Sequence, residues 1–136
     1  VLVADQGLDG LYRSQDLNGD GDANDTGETS IFFNGDNASG LENPSSNIFT
    51  ILQSRSGELY VGDGTSDSVY RLSDNNRDGD AQDSGEAQVW FSEDNAAGLT
   101  LPTPNGIGED SENNVYIVNA GTSSSPSDGI YRTRDL

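Results

Sequence analysis

Residues 16–28 read DLNGDGDANDTGE, and residues 74–86 read DNNRDGDAQDSGE. Numbered from the leading aspartate, both stretches carry side-chain oxygens at positions 1, 3, 5, 7, 9, 10 and 13, with glycine at position 6. In the first these are Asp16, Asn18, Asp20, Asp22, Asn24, Asp25 and Glu28, around Gly21. In the second they are Asp74, Asn76, Asp78, Asp80, Gln82, Asp83 and Glu86, around Gly79. Carboxylates crowded this closely repel one another unless a cation or solvent compensates them. Hard oxygen donors at alternate positions suit Ca2+, which takes six to eight oxygens at about 2.4 Å, with a glycine allowing the sharp turn. Mg2+ prefers to keep several waters, and zinc or softer metals lack His and Cys ligands in this chain. Turn-rich composition alone would also place Asp, Asn and Gly together. Two copies in register, each with glycine at position 6 and a Gly-Glu ending, argue against coincidence.

An EF-hand loop draws side-chain oxygens from positions 1, 3 and 5, a backbone carbonyl from position 7 and a late bidentate acid. Here the loops are one residue longer. The closing ligand therefore falls at position 10 or 13, and both are taken as contributing. Two calcium ions, one per loop, are the expected cofactors.

Strands must hold these loops. Short apolar clusters recur along the chain: VLVA, GLYR, SIFF, NIFTIL, ELYV, SVYRL, QVWF, VYIV and GIYR. Each is rich in Val, Ile, Tyr and Phe and is bounded by Gly, Asn, Asp and Ser, which reads as β-strand; no window supports an amphipathic helix. The clusters also repeat. Gly10-Leu11-Tyr12-Arg13 returns as Ser68-Val69-Tyr70-Arg71 and as Gly129-Ile130-Tyr131-Arg132, at intervals of 58 and 61 residues. Ser30-Ile31-Phe32-Phe33 returns as Gln88-Val89-Trp90-Phe91, and Asp36 to Leu41 returns as Asp94 to Leu99. The last copy carries about five extra residues in the loop running from Gly121 to Pro126.

One period holds four strands: A near Phe49 to Gln53, B near Leu59 to Gly62, C near Ser68 to Leu72, and D near Ala87 to Phe91. Four antiparallel strands per 40–60 residues is the signature of a β-propeller blade. The expected fold is all-β, about two and a half blades of an incomplete ring. Residues 1–41 form a partial blade, 42–99 a full one and 100–136 another partial one. Val1 to Ala4 reads as a B strand and Ile130 to Thr133 as a C strand. Asp135-Leu136 copies the Asp16-Leu17 that opens the first acidic loop. Both ends thus fall inside a blade, and the chain is expected to be a segment completed by further blades of the same protein; the alternative is assembly of neighbouring chains.

Composition narrows the partners. The chain has 136 residues, a net charge of −18, six basic residues that are all Arg, and no Lys, His, Cys or Met. So acidic a surface repels nucleic acid and anionic membrane. No apolar run approaches the roughly 18 residues of a membrane span. Hydrophobic residues make up 31%, which with this charge leans toward disorder; their clustering argues instead for a folded β domain.

The segments Ser56-Gly57-Glu58-Leu59-Tyr60-Val61-Gly62-Asp63 and Ser68-Val69-Tyr70-Arg71-Leu72 resemble the blade pattern of NHL-repeat and SMP-30/gluconolactonase-like propellers. The acidic loops are similar to the Asp-x-Asn-x-Asp-Gly hairpin loops of integrin-α-type propellers and bacterial adhesin repeats. Carried over, that resemblance makes Asp16, Asn18 and Asp20, and Asp74, Asn76 and Asp78, the core calcium ligands. Asp22 and Asp80 would then supply carbonyl oxygens, with Asp25 and Glu28, and Asp83 and Glu86, closing the two sites.

Catalysis finds little to work with. Without His or Cys the usual nucleophile–base pairs are absent. Pro104-Asn105-Gly106-Ile107 and Val115 to Asn119 resemble the lactonase segment in which an Asn binds the central metal and a later Asp acts as base. Asn105 matches the first place, but Asn119 stands at the second and cannot act as a base. Asn47 and Asp63 hold the equivalent places one period earlier, flanked by Ser46 and Ile48, and Asp5 is the counterpart in the first copy. The plainer reading of Asp5, Asp63 and Asn119 is turn-capping. Tyr12, Tyr70 and Tyr131, each followed by Arg, read as packing between repeats with the Arg neutralising nearby acids, and so does Trp90. Asn37-Ala38-Ser39 is a glycosylation sequon on paper, with turn-forming the alternative.

The sequence thus predicts a calcium-binding structural or interaction module of an exported propeller protein, extracellular or periplasmic. A fragment of a lactonase-like hydrolase and a subunit of a larger extracellular or membrane-associated assembly are the alternatives.

Overall fold

A computed structural model describes residues 1–41, 47–124 and 127–134. The Ser46 flank, the Pro126 end of the long loop and the Asp135–Leu136 copy lie outside the described residues. Ten strands and no helix occur among those described: β1 (Leu2–Asp5), β2 (Gly10–Ser14), β3 (Thr29–Asn34), β4 (Ile48–Gln53), β5 (Leu59–Asp63), β6 (Ser68–Leu72), β7 (Ala87–Ser92), β8 (Pro104–Glu109), β9 (Val115–Asn119) and β10 (Gly129–Thr133). All pair antiparallel, in three sheets ordered β1-β2-β3, β4-β5-β6-β7 and β10-β9-β8. No helix is long and apolar enough to cross a membrane.

The alternation of side chains along the central strands explains the stacking. Leu59 and Val61 of β5, with Tyr70 and Leu72 of β6, face the first sheet and pack with Leu11, Phe32 and Phe33. Tyr60 and Val69, on the opposite face, pack with Leu101, Val115 and Ile117 of the third. Because both faces of the middle sheet are covered, β5 is buried at all five positions and β6 at all but Arg71. A strand buried on both faces cannot show the in–out polarity of a half-exposed one, and LYVGD and SVYRL do not.

Arg71, half-buried on β6, is held by its neighbours. Its guanidinium lies 4.9 Å from the Trp90 ring centroid and its Nε 3.6 Å from Glu58. With the Gln88 amide turned to present its oxygen, that oxygen accepts from Arg71 Nε at 2.8 Å. Trp90 in turn meets Tyr60 edge-on at 5.4 Å.

The middle and third sheets approach closely at Gly62. A Cβ there would sit 2.7 Å from the Pro104 carbonyl oxygen and 2.8 Å from Thr50 Cγ2. The backbone of β8 occupies the space a side chain would need.

Register shifts recur at matching places. On β3 the extra residue is Phe32, between the pairs Leu11↔Phe33 and Tyr12↔Ile31. On β7 it is Trp90, between Val69↔Phe91 and Tyr70↔Val89. A bulge turns a carbonyl out of the ladder and bends the strand, which matters below for Phe32.

Candidate metal centre

Each acidic loop joins the last two strands of a sheet: Gln15–Glu28 links β2 to β3, and Ser73–Glu86 links β6 to β7. Both close on the same paired backbone bonds, Gln15 N to Glu28 O and Ser73 N to Glu86 O at 2.8 Å each. Inside, the two loops fold almost atom for atom alike. Asp20 N donates to Asn18 Oδ1 at 2.9 Å and Asp78 N to Asn76 Oδ1 at 2.8 Å. Asp22 N donates to Asp20 Oδ1, and Asp80 N to Asp78 Oδ1, both at 3.2 Å. Asn18 Nδ2 reaches Asp25 Oδ2, and Asn76 Nδ2 reaches Asp83 Oδ2, both at 2.5 Å. The loops therefore coil so that position 3 meets positions 5 and 10, and short Asn and Asp side chains bonding backbone two residues on are what hold the coil. Gly21 and Gly79, at φ +101° and +107°, make the turn at position 6.

Position 13 is held differently from the rest. Glu28 and Glu86 are buried, at 4% and 3% exposure, while most neighbouring acids are exposed. Glu28 Oε1 accepts from Leu17 N at 2.9 Å and Oε2 from Asp25 N at 3.0 Å. Glu86 Oε1 accepts from Asn75 N and Asn76 N, and Oε2 from Asp83 N. These backbone donors favour the charged carboxylate and hold Glu28 below the usual glutamate range, against the opposing effect of its burial. Position 13 is thus a clasp across the loop mouth, and its carboxylate oxygens already have backbone partners.

Two features distinguish the second loop. Carboxylate oxygens of Asp78, Asp80 and Glu86 lie within 4.8 Å of one another, a concentration of negative charge in a cleft that Arg13 and Arg77 also line. Asp74 Oδ1 is buried with no hydrogen-bond partner. In the first loop the matching oxygen, Asp16 Oδ1, accepts from Gly19 N at 2.6 Å. Arg77 replaces that glycine, and Asp74 keeps only the bond from Gly79 N to Oδ2, at 3.1 Å. An unpaired buried carboxylate oxygen costs free energy, and a hard cation is the chemistry that matches it. An all-oxygen set with no nitrogen or sulfur donor fits Ca2+.

Position 9 points away from the loop interior. Gln82 pairs reciprocally with Asn34 of β3, its Nε2 donating to Asn34 Oδ1 at 2.7 Å and its Oε1 accepting from Asn34 N at 3.2 Å. The alternation of oxygens along the sequence did not reveal this. The signal available was the longer side chain at this position in the second loop, Gln82 against Asn24.

Elsewhere, residues of chemical interest serve turns. Asp5 Oδ1 accepts from Gly7 N and Leu8 N. Asp63 accepts from Thr65 N and Ser66 Oγ. Asn119 accepts from Thr103 N and donates to Ser127 O. Asn105 is exposed, at the register shift of β8, and Asn47 donates to Thr65 Oγ1. Asn37, the sequon residue, is buried, its Nδ2 donating to Asn34 O and Leu41 O. Asn95, which lies in no sequon, repeats the same bonds with Ser92 O and Leu99 O. Stapling the turns after β3 and β7 explains both asparagines.

Asp110 was not singled out by the sequence and is the strongest such knot. It accepts from the Asn114 side chain and backbone, from Glu112 N and from Tyr116 OH. These donors, the Asn114 amide foremost, hold its carboxyl down to about 2. Asp67 moves the other way, raised by burial and by the nearby Glu93 and Asp63 charges.

No family model, curated protein or solved structure matches the chain.

Proposed function

We propose that the chain is a calcium-binding structural or interaction module of an exported β-propeller protein, with one Ca2+ in each acidic loop. Supporting the calcium reading is one observation above all: two loops 58 residues apart repeat the same internal bonds, and in the second three carboxylates converge and a buried Asp74 oxygen has no partner. Asp16, Asn18, Asp20 and Asp25 would hold the first ion, and Asp74, Asn76, Asp78 and Asp83 the second. Asp22 and Asp80 would add carbonyl oxygens. Glu28 and Glu86 would close the loop mouth and offer the ion their remaining lone pairs, a Glu86 oxygen lying within 4.8 Å of those of Asp78 and Asp80.

The propeller reading is supported by stacked antiparallel sheets joined in sequence order, each burying its inner faces only against its neighbour. Calcium in the millimolar range outside the cell would fill loops of this kind, which is the basis for placing the protein there. The open outer edges of β1 and β10 favour a second reading, a subunit that pairs strands with neighbouring chains in a larger assembly.

Isothermal titration of the calcium-stripped chain should give two sites, Asp20→Asn and Asp78→Asn should each remove one, and magnesium should compete poorly. Absence of binding heat together with an unchanged melt in excess EDTA would overturn the calcium assignment.

A further inference from the structure

The two acidic loops differ in what lies behind them. The second presses its outer side on the first sheet. Ala81 N donates to the carbonyl of the bulged residue Phe32 at 2.8 Å, and Ala38 N donates to Gln82 O at 2.6 Å. Gln82 and Asn34 exchange their two bonds, Ser39 Oγ donates to Asp83 O, and Gly85 N donates to Ser39 Oγ. Arg13 Nη1 donates to Gly79 O at 3.2 Å. The Ala81 side chain is fully buried in the core shared by Leu11, Phe32, Phe33 and Tyr70. Among the described residues, only one hydrogen bond joins residues 1–41 to the rest of the chain without using this loop, from Gln6 Nε2 to Ile48 O at 3.3 Å. In the first loop, Ala23, Asn24 and Asp25 make no hydrogen bond to another sheet among the described residues.

We propose that the second loop is a cation-set latch between sheets: its coil, and with it the seat of Ala81 and Gln82, holds the first sheet on the second. When its carboxylates are uncompensated, residues 1–41 are released as a unit while the second and third sheets stay folded. The latch is carried by the cross-sheet bonds; its dependence on calcium rests on the reading of the preceding section. The physical reason is local. Ala81 and Gln82 follow directly on Asp80, so any opening of the coil at Asp78 and Asp80 moves both contacts out of register with Phe32 and Asn34. The bulge at Phe32 provides the free carbonyl that makes the seat. The first loop makes no hydrogen bond to that seat among the described residues, so emptying it does not act on the contact between the first and second sheets.

Hydrogen exchange read by mass spectrometry tests this on the whole chain. In calcium, Gln82→Ala should speed exchange of β2 and β3 about tenfold through loss of two partly buried bonds, leaving β5, β6 and β9 protected. Ala81→Arg should do so more strongly, with the same pattern. Neither substitution touches a proposed calcium ligand. EDTA and Asp78→Asn should each reproduce that pattern, and Asp20→Asn should not. If both latch variants leave β2 and β3 protected, or expose all sheets together, the latch is wrong. If they release the first sheet while EDTA changes nothing, the latch stands, and it is the calcium reading and the coupling to it that fail.

Discussion

Replacing Asp78 by Asn should make the chain more stable than the parent without calcium and less stable than the parent with it. The carboxylate oxygens of Asp78, Asp80 and Glu86 lie within 4.8 Å of one another. At that separation two unit charges repel by about 0.9 kcal/mol even with the dielectric of water. Removing the charge of Asp78 relieves two such pairs, or about 1.7 kcal/mol. At physiological ionic strength, with a screening length of about 8 Å, close to 1 kcal/mol of that survives. The loop backbone bond from Asp80 N needs only an oxygen at Oδ1, which Asn keeps; the Asn76 amide, fixed by Asp78 N and Asp83, gives up its exposed bond at Oδ2 to water. Without calcium the variant should therefore melt about 4 °C above the parent. With calcium the parent gains about 2.7 kcal/mol per site at a hundredfold excess over its dissociation constant. The variant forfeits the share of its second loop and melts several degrees below the parent. Thermal unfolding followed by circular dichroism, in EDTA and in calcium chloride, reads both signs. A variant less stable than the parent by the same amount in both buffers would show that charge crowding and cation binding are not what this loop is about.

Three further outcomes follow from packing and titration. Gly62→Ala forces a Cβ against the Pro104 carbonyl and Thr50; overpacking of this kind costs about 1–3 kcal/mol, measurable as a lower urea midpoint with an unchanged slope. Phe33→Ala empties a fully buried site between the first and second sheets and should cost about 3–5 kcal/mol on the same assay. Asp110, held at about 2 by its donors, binds its proton more readily in the unfolded chain than in the folded one. Its contribution to stability is then present above about pH 4 and lost as pH falls toward 2. Asp110→Asn should flatten the acid limb of the stability profile in that window, and the carboxyl chemical shift of Asp110 should titrate near its lower end.

The strands were legible because their cause is local. Tyr, Val, Ile and Phe runs between Gly, Asn and Asp are already strand-and-turn sequence, and β6 spans the same five residues that pattern marked. The period was legible too, since a repeated structural unit must repeat its apolar clusters. The oxygen positions of the two loops belong to this class, because Asx turns are set by residues two or three apart.

What lay beyond the sequence arises where segments far apart meet. Position 13 looked like a ligand of the same kind as positions 1, 3 and 5, yet its longer side chain crosses the loop mouth to backbone donors at position 2. Gln82 looked like an inward oxygen, yet its partner Asn34 lies 48 residues earlier. Asp110 is the exception: its four donors lie only two to six residues on, a local knot hidden among 24 acids.

The sequence by itself determined that this is an all-β chain with a repeat of about 58 residues and two oxygen-rich loops at equivalent places. These are properties of composition, alternation and short-range bonding. Only the tertiary structure decided where the second loop seats. Ala81 meets the carbonyl of the bulged residue Phe32, and Gln82 meets Asn34, 48 residues earlier. Bonds between residues so far apart in the chain are set by how the sheets stack, which no short-range pattern records.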